Sequence, residues 1–193
     1  MSSDRYYGSF IGFIWICWVA YWWIASQRTK TTERAESLAS RLSHVVPLMI
    51  GAILIGTQNA ASWTWLSIRI LPRGPAEYWI GVALLLLGLS LTVWARRHLA
   101  TNWSAAVTLK QEHELVTSGP YRWVRHPIYT GLLVALLGCA IARGEMRALL
   151  ALAFVVGAFV RKLRLEERWM REMFKDEYAR YSAEVPALIP LLY

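Results

Sequence analysis

Residues 78–95 read YWIGVALLLLGLSLTVWA, an apolar run that contains no charged side chain. Glu77 precedes the run, and Arg96 and Arg97 follow it. A helix needs about 20 mostly apolar residues to cross the ~30 Å hydrocarbon core of a bilayer. Aromatic residues at both ends of such a run are typical of membrane–water interfaces. The run therefore predicts a membrane-spanning helix.

Four further apolar blocks lie at 10–25, 45–61, 128–142 and 148–160. The first two are long enough to span a bilayer once the flanking Tyr and Trp residues are counted as interfacial anchors. The last two are short, and residues 143–145 (RGE) form a turn between them, which predicts a short helical hairpin. The predicted fold is a single all-α integral membrane domain over residues 1–193, with five transmembrane helices, three of them within residues 1–100.

The composition excludes several other classes of protein. Apolar residues make up 56% of the chain, whereas soluble domains have about 45–50%, so a disordered or collagen-like chain is excluded. The two cysteines both lie inside apolar blocks, which leaves neither a disulfide framework nor a metal cluster. The net charge is +8, but the basic residues fall between apolar blocks and form no continuous polar face, so no nucleic-acid partner is predicted.

The basic residues predict the orientation in the membrane. With the N-terminus outside and five alternating spans, 16 of the 21 Lys and Arg residues lie on the inner side. The positive-inside rule therefore favours an external N-terminus and a cytosolic C-terminus. This topology places the two largest polar stretches, residues 96–126 and 161–193, on the cytosolic side, where we expect the chemistry.

The segment before the fourth block carries the densest chemical signal. Gly119-Pro120 is a turn dipeptide, and Pro127 suits the first position of a helix, where its missing N–H costs nothing. Arg125 and His126 stand next to this helix N-terminus, which attracts anions. The segment predicts a site for an anionic ligand group, with an interfacial anchor as the alternative.

A second cluster, residues 161–168 (RKLRLEER), directly follows the fifth block. Lys162 and Glu166 lie four residues apart, so they share one face of a helix, and such pairs often only solvate that face. The hairpin, however, brings this cluster to the start of the fourth helix, and this convergence favours a functional site. His44 and His98 flank spans and are predicted to be interfacial residues, and no metal-binding motif is present.

A longer pattern extends over residues 102–190. In order and spacing it resembles the isoprenylcysteine carboxyl methyltransferases and their prokaryotic relatives. Its parts are Asn102-Trp103-Ser104, His113-x-Leu115-Val116-x-x-Gly119-Pro120-Tyr121, Arg125-His126-Pro127-x-Tyr129-x-Gly131, Glu166-Glu167, Phe174-x-x-Glu177-Tyr178-x-x-Tyr181 and Val185-Pro186.

The resemblance implies a membrane enzyme that uses S-adenosylmethionine, with residues 101–193 forming a cytosolic cofactor-binding loop, the catalytic region and a C-terminal helix. The implied reaction is methyl transfer to the carboxylate of a lipid-tailed substrate, with the prenylated cysteine at a protein C-terminus as the first candidate. Membrane lipids are the other expected partners, and no metal is expected. By position, the implied cofactor-binding residues are His113, Glu114, Leu115, Val116, Tyr121, His126, Pro127, Ile128, Tyr129 and Glu166.

The resemblance also implies a substrate-binding residue four positions before Glu166. The family has arginine there, whereas this chain has Lys162, which lacks the guanidinium fork. Either Arg161 or Arg164 replaces the arginine, or the acceptor is not a prenylcysteine. The predicted catalytic residues are Lys162, Arg164 and Glu167, with Lys162 or Arg164 orienting the carboxylate. The alternatives are a phospholipid or other lipid methyltransferase of the same fold, an NADPH-binding membrane reductase, and a non-catalytic scaffold.

Overall fold

A computed structural model describes residues 2–27, 32–56, 65–72, 74–100, 108–110 and 115–190. Helices dominate these residues. The helices are α1 (Ser2–Ser26), α2 (Leu38–Gly56), α3 (Pro75–Leu99), α4 (Pro127–Arg143) and α5 (Met146–Glu184), with a short 3-10 helix at Gly119–Arg122.

Three described helices are long and apolar enough to cross a membrane. They are Gly8–Ser26 within α1, Leu38–Gly56 and Pro75–Leu99, and they contain most of the first three predicted blocks. Helix α2 begins seven residues earlier than predicted, and the last part of its block, 57–61, lies outside the described residues. Helix α4 is shorter, with 17 residues, so five transmembrane crossings stay a prediction.

The hairpin of α4 and α5 is confirmed, including its turn. Helix α4 begins at Pro127 and ends at Arg143, and Gly144 then adopts a left-handed conformation with φ 63°. Glycine adopts this conformation without the steric cost that other residues bear. Residues 66–70 support the turn, since the amide of Ile70 donates to the Gly144 carbonyl and the amide of Arg147 donates to the Leu66 carbonyl.

Helices α3 and α4 contact each other backbone to backbone. A Cβ atom added to Gly88 would lie 2.3 Å from the Gly131 carbonyl oxygen, and one added to Gly81 would lie 2.4 Å from that of Gly138. The reverse additions, at Gly131 and Gly138, meet the same partners at 2.5 and 2.4 Å. Small residues permit such close approach, which is how helices associate in lipid, where apolar burial alone gives no driving force.

Helix α5 continues far beyond the predicted fifth block. The block ends at residue 160, whereas α5 runs from Met146 to Glu184 and is kinked at Lys175, which has φ 42°. Its first half packs antiparallel to α2, where Gly51 faces Val155 and Ala151. After α5, residues 185–188 return to the start of α4, and the amide of Arg125 donates to the Pro186 carbonyl at 2.9 Å.

Two features complete the described fold. Helix α1 is attached through tryptophan side chains, since Trp18 Nε1 donates to Thr92 Oγ1 on α3 at 2.7 Å. The sequence pattern predicts no strand, but β1 (Thr32–Ala35) pairs antiparallel with β2 (Thr108–Lys110). Three or four residues are too few to give a recognisable alternation of apolar and polar side chains.

We expect Gly88→Ala to destabilise the fold by about 1–3 kcal/mol, because the added methyl group meets backbone atoms that cannot move aside. Gly157→Ala is the matched control, since nothing lies within 4 Å of its added Cβ and alanine favours a helix by up to about 1 kcal/mol. Thermal unfolding in detergent measures both variants. Equal melting temperatures for the two variants would contradict the backbone contact between α3 and α4.

Candidate active site

Arg125 connects several segments at the predicted cytosolic end of the helices. Its Nε and Nη2 atoms donate to Glu167 Oε1 at 2.9 and 2.7 Å. Its Nη1 atom donates to the carbonyl oxygens of Ser182, at 3.0 Å, and Val185. The sequence predicts that Arg125, next to the helix N-terminus, attracts an anionic ligand group. The guanidinium is instead occupied by contacts within the protein, which join the start of α4 to α5 and to the segment after it.

Glu167 is the buried carboxylate that receives Arg125. It also contacts His126 Nε2 at 3.3 Å and Arg171 Nη2 at 3.1 Å. Burial acts to raise the pKa of Glu167, but the hydrogen bonds and charges of His126 and Arg125 outweigh burial and lower this pKa to about 2. The carboxylate is therefore ionised throughout the physiological range.

Glu166, the next residue, faces the first turn of α4. Tyr129 donates its hydroxyl hydrogen to Glu166 Oε1 at 2.5 Å, and His126 Nδ1 lies 3.6 Å from Glu166 Oε2. The rings of His126 and Tyr129 stack with centroids 5.5 Å apart. Tyr129 also stacks on Phe159 of α5 at 4.8 Å. The Glu166 side chain remains 23% exposed, so its carboxylate is held in place and still accessible.

Lys162 lies beside the same tyrosine. Its Nζ atom is 5.5 Å from the centroid of the Tyr129 ring, a distance at which a cation is attracted to the face of an aromatic ring. Arg164 is exposed on α5, and it is not among the partners of Glu167. Arg161 is exposed too and donates to Ser43 of α2. The structure thus brings Lys162 to Tyr129 and Glu166 and leaves Arg164 outside this cluster.

The remaining predicted cofactor-binding residues differ in burial, and two of them lie outside the described residues. Tyr121 is buried in the 3-10 helix, and its carbonyl oxygen accepts a hydrogen bond from Tyr181 at 2.6 Å. Burial raises the pKa of Tyr121, and the nearby charge of Glu166 raises it further. Pro127 is fully buried, whereas Ile128, Leu115 and Val116 are half-buried. His113 and Glu114 lie outside the described residues.

The buried pair formed by Glu36, just before α2, and His44, on α2, is not predicted from the sequence. His44, predicted to be interfacial, is only 3% exposed, and its Nε2 atom lies 3.4 Å from Oε1 of the equally buried Glu36. Ser40 donates to the other oxygen of Glu36 at 2.9 Å. Lys162 and Glu166 are close enough for their charges to act on His44. Only the antiparallel packing of α2 on α5, which the sequence did not predict, could have indicated this proximity.

Residues 76–177, just over half of the chain, match the phospholipid methyltransferase family. The chain belongs to this family. Among its relatives, protein-S-isoprenylcysteine O-methyltransferase B of Arabidopsis thaliana is 28% identical over 65% of this chain and 66% of that protein. The cobalt-zinc-cadmium resistance protein CzcN of Cupriavidus metallidurans is 31% identical over 77% of this chain and 61% of that protein.

Structural similarity agrees with the family assignment. The eukaryotic intramembrane Ras methyltransferase ICMT (isoprenylcysteine carboxyl methyltransferase) is 25% identical and superposes with a TM-score of 0.52, over 79% of this chain and 51% of that one. The predicted resemblance to the isoprenylcysteine methyltransferases is therefore confirmed. The chain spans about half to two thirds of the length of these relatives.

We expect Glu167→Gln to lower the melting temperature near neutral pH, because it leaves Arg125 without its buried counter-charge. The pKa of Glu167 falls from its ordinary 4.5 to about 2 on folding, which corresponds to roughly 3 kcal/mol of stabilisation. This stabilisation is complete above about pH 4.5 and is lost as the pH falls towards 2. Thermal melts from neutral pH down to about pH 3 should show the wild type and the variant converging.

The exposed Glu177→Gln variant is the control for removing a carboxylate from α5. Its melting temperature should follow that of the wild type at every pH. A constant difference between wild type and Glu167→Gln across this pH range would contradict the assigned ion pair.

Proposed function

We propose that this chain is an integral membrane methyltransferase that transfers the methyl group of S-adenosylmethionine to the carboxylate of a lipid-tailed substrate. The first candidate is the prenylated cysteine at a protein C-terminus, because several relatives are named for that activity. The N-terminus is external and the C-terminus cytosolic. One observation carries the proposal, namely the convergence of Tyr129, Lys162 and Glu166 at the start of the α4–α5 hairpin.

The side chains at this position suit S-adenosylmethionine, which carries an ammonium, a carboxylate and ribose hydroxyls around its sulfonium. Glu166 is fixed by Tyr129 and His126 but keeps accessible lone pairs, so it can accept from the ribose hydroxyls or the ammonium. Tyr121 and Pro127 supply buried walls. The N-terminus of α4 favours a carboxylate through its dipole. When bound, the cofactor supplies an electrophilic methyl group.

Lys162 is proposed to orient the acceptor. A carboxylate with a pKa near 3.5 is already ionised at pH 7, so its methylation requires no general base. It requires positioning, which can supply roughly 7–11 kcal/mol when the reacting atoms are held in line at about 3 Å. Because the Tyr129 ring limits the positions of the Lys162 ammonium group, this lysine can hold a carboxylate although it lacks an arginine fork.

Glu167 is proposed to be a positioning residue, which revises the catalytic role expected from the sequence. Arg125, His126 and Arg171 occupy both of its oxygens. Through these contacts Glu167 fixes the α5 turn that carries Glu166, and it orients the imidazole of His126. Arg164, exposed and outside the cluster, has no proposed role in holding the acceptor.

We expect the purified protein to bind S-adenosylhomocysteine at micromolar concentration and not to bind NADPH, as measured by calorimetric titration. Tyr129→Phe removes only the hydroxyl group that holds Glu166 and should weaken this binding about tenfold, since a hydrogen bond to a charged group contributes about 1.5–3 kcal/mol. Tyr21→Phe on α1 is the matched control and should bind as the wild type does. Binding of NADPH alone, or of neither compound, would refute the proposal.

We expect Lys162→Ala to retain affinity for S-adenosylhomocysteine and to raise the KM for a farnesylated cysteine at least tenfold. The variant loses the charge facing the acceptor carboxylate, and a charge-assisted contact is worth about that much. Lys162→Arg should restore the KM. Methyl-transfer assays with a labelled cofactor measure both. An unchanged KM in Lys162→Ala would show that this lysine does not hold the acceptor.

A second candidate acceptor is a lipid amine, and the Glu36–His44 pair is the observation that favours it. An ammonium group must lose a proton before methylation, which requires a base. An imidazole oriented by a buried carboxylate is suited to that role. If the acceptor is an amine, His44→Gln should abolish turnover of phosphatidylethanolamine at unchanged affinity for S-adenosylhomocysteine. If the acceptor is a carboxylate, the same variant should keep its turnover of farnesylated cysteine.

A further inference from the structure

A groove on α3 lies apart from the candidate active site. It has a volume of about 420 Å³ and is lined by Ser90, Val93, Trp94, Arg97 and His98. The face of α3 that meets α4 carries Gly81 and Gly88 instead. The groove therefore opens on the side of α3 that is turned away from the hairpin.

The wall of the groove is built from packed aromatic rings. Trp94 meets the ring of Trp123 edge to face at 5.5 Å, and it meets the ring of His98 in the same manner at 5.7 Å. His98 fits because residue 119 is glycine, since a Cβ atom there would lie 2.3 Å from the imidazole. Gly119 also has φ +60°, so two constraints favour glycine at this position.

On the N-terminal side of the groove, α3 presents an apolar face. Ile80, Leu87 and Trp94 recur every seven residues and thus share one face of the helix. They are exposed by 54%, 63% and 38% of their surface, and no described element covers them. In a helix long enough to cross a bilayer, such a face is in contact with acyl chains.

At the end nearest the C-terminus of α3, the groove carries a positive charge. Arg97 is exposed on the last turn of α3. Among the residues that the structure describes, no carboxylate pairs with its guanidinium. Arginine binds phosphate through two parallel N–H donors, and tryptophan is enriched at the headgroup level of membranes. From the C-terminal end of α3, the positive charge, the aromatic wall and the apolar face therefore follow one another. A phospholipid presents its headgroup, its interfacial region and its acyl chain in the same order.

We propose that this groove binds an anionic phospholipid, with the phosphate on Arg97 and one acyl chain along the face of Ile80, Leu87 and Trp94. Charge complementarity selects an anionic lipid over a zwitterionic one. The proposal is independent of methyl transfer, because the groove shares no residue with the site around Tyr129. It assigns Arg97 and Trp94 to lipid recognition.

The test compares phosphatidylglycerol with phosphatidylcholine on the full-length protein, by counting retained lipids in native mass spectrometry and by thermal stabilisation in mixed micelles. We expect phosphatidylglycerol to be retained about tenfold more strongly, as a charge-assisted contact predicts. Arg97→Gln should abolish this preference. Arg168→Gln, an exposed arginine on α5, is the matched control and should keep it.

A second variant tests the groove without changing its charge. Ser90→Trp fills the space beside Trp94 and should reduce the retention of phosphatidylglycerol although Arg97 is intact. A preference that survives both variants, or no preference in the wild type, would overturn the proposal. Equal stabilisation by inorganic phosphate alone would show an adventitious ion site and would overturn the lipid assignment as well.

Discussion

The ion pair between Arg125 and Glu167 is the interaction on which the arrangement of the site depends. It joins the residue two positions before α4 to the middle of α5, and through the carbonyl oxygens of Ser182 and Val185 it also joins the end of α5. Burying two charges is costly unless hydrogen bonds satisfy the remaining polar atoms. Here His126 and Arg171 also contact the Glu167 oxygens, which lowers the cost of burying the pair. The pair fixes three segments at once.

The positions of the Glu166 and Tyr129 side chains follow from this ion pair. Glu166 is next to the fixed Glu167, and Tyr129 is four residues after the fixed Arg125, so their meeting at 2.5 Å is a consequence of the pair. The contact between α3 and α4 supplies a rigid support, since the paired glycines leave no room for the helices to shift. The proposed methyl transfer depends on positioning, which requires a rigid support of this kind.

The parts that the sequence predicted correctly are those marked by local chemistry. Pro127 and Gly144 delimit α4 as the turn and helix-start rules require, and the hairpin they define correctly predicted that Glu166 meets the start of α4. The parts that it missed depend on tertiary contacts. The pattern of α5 changes from apolar to charged at Arg161, but the helix continues as far as the kink at Lys175, so the predicted fifth block and the predicted C-terminal helix form one element.

The errors in the site have the same origin. A sequence shows that Arg125 is basic and near a helix N-terminus, but only the fold shows that Glu167 already neutralises it. Glu36 lies just before α2 and eight residues from His44 in sequence, a spacing that predicts no contact in a helix. His113 and Glu114 remain predictions, because they lie outside the described residues.

The return of residues 185–188 to the start of α4 has a consequence for biosynthesis. The amides of Arg125 and His126 are bonded to the carbonyls of Pro186 and Ala187, and the Thr130 hydroxyl to that of Leu188. Until residues 185–188 have been synthesised, these polar groups at the start of α4 lack the partners that they have in the described structure. The start of α4 can therefore adopt its described hydrogen bonding only once residue 188 has been synthesised.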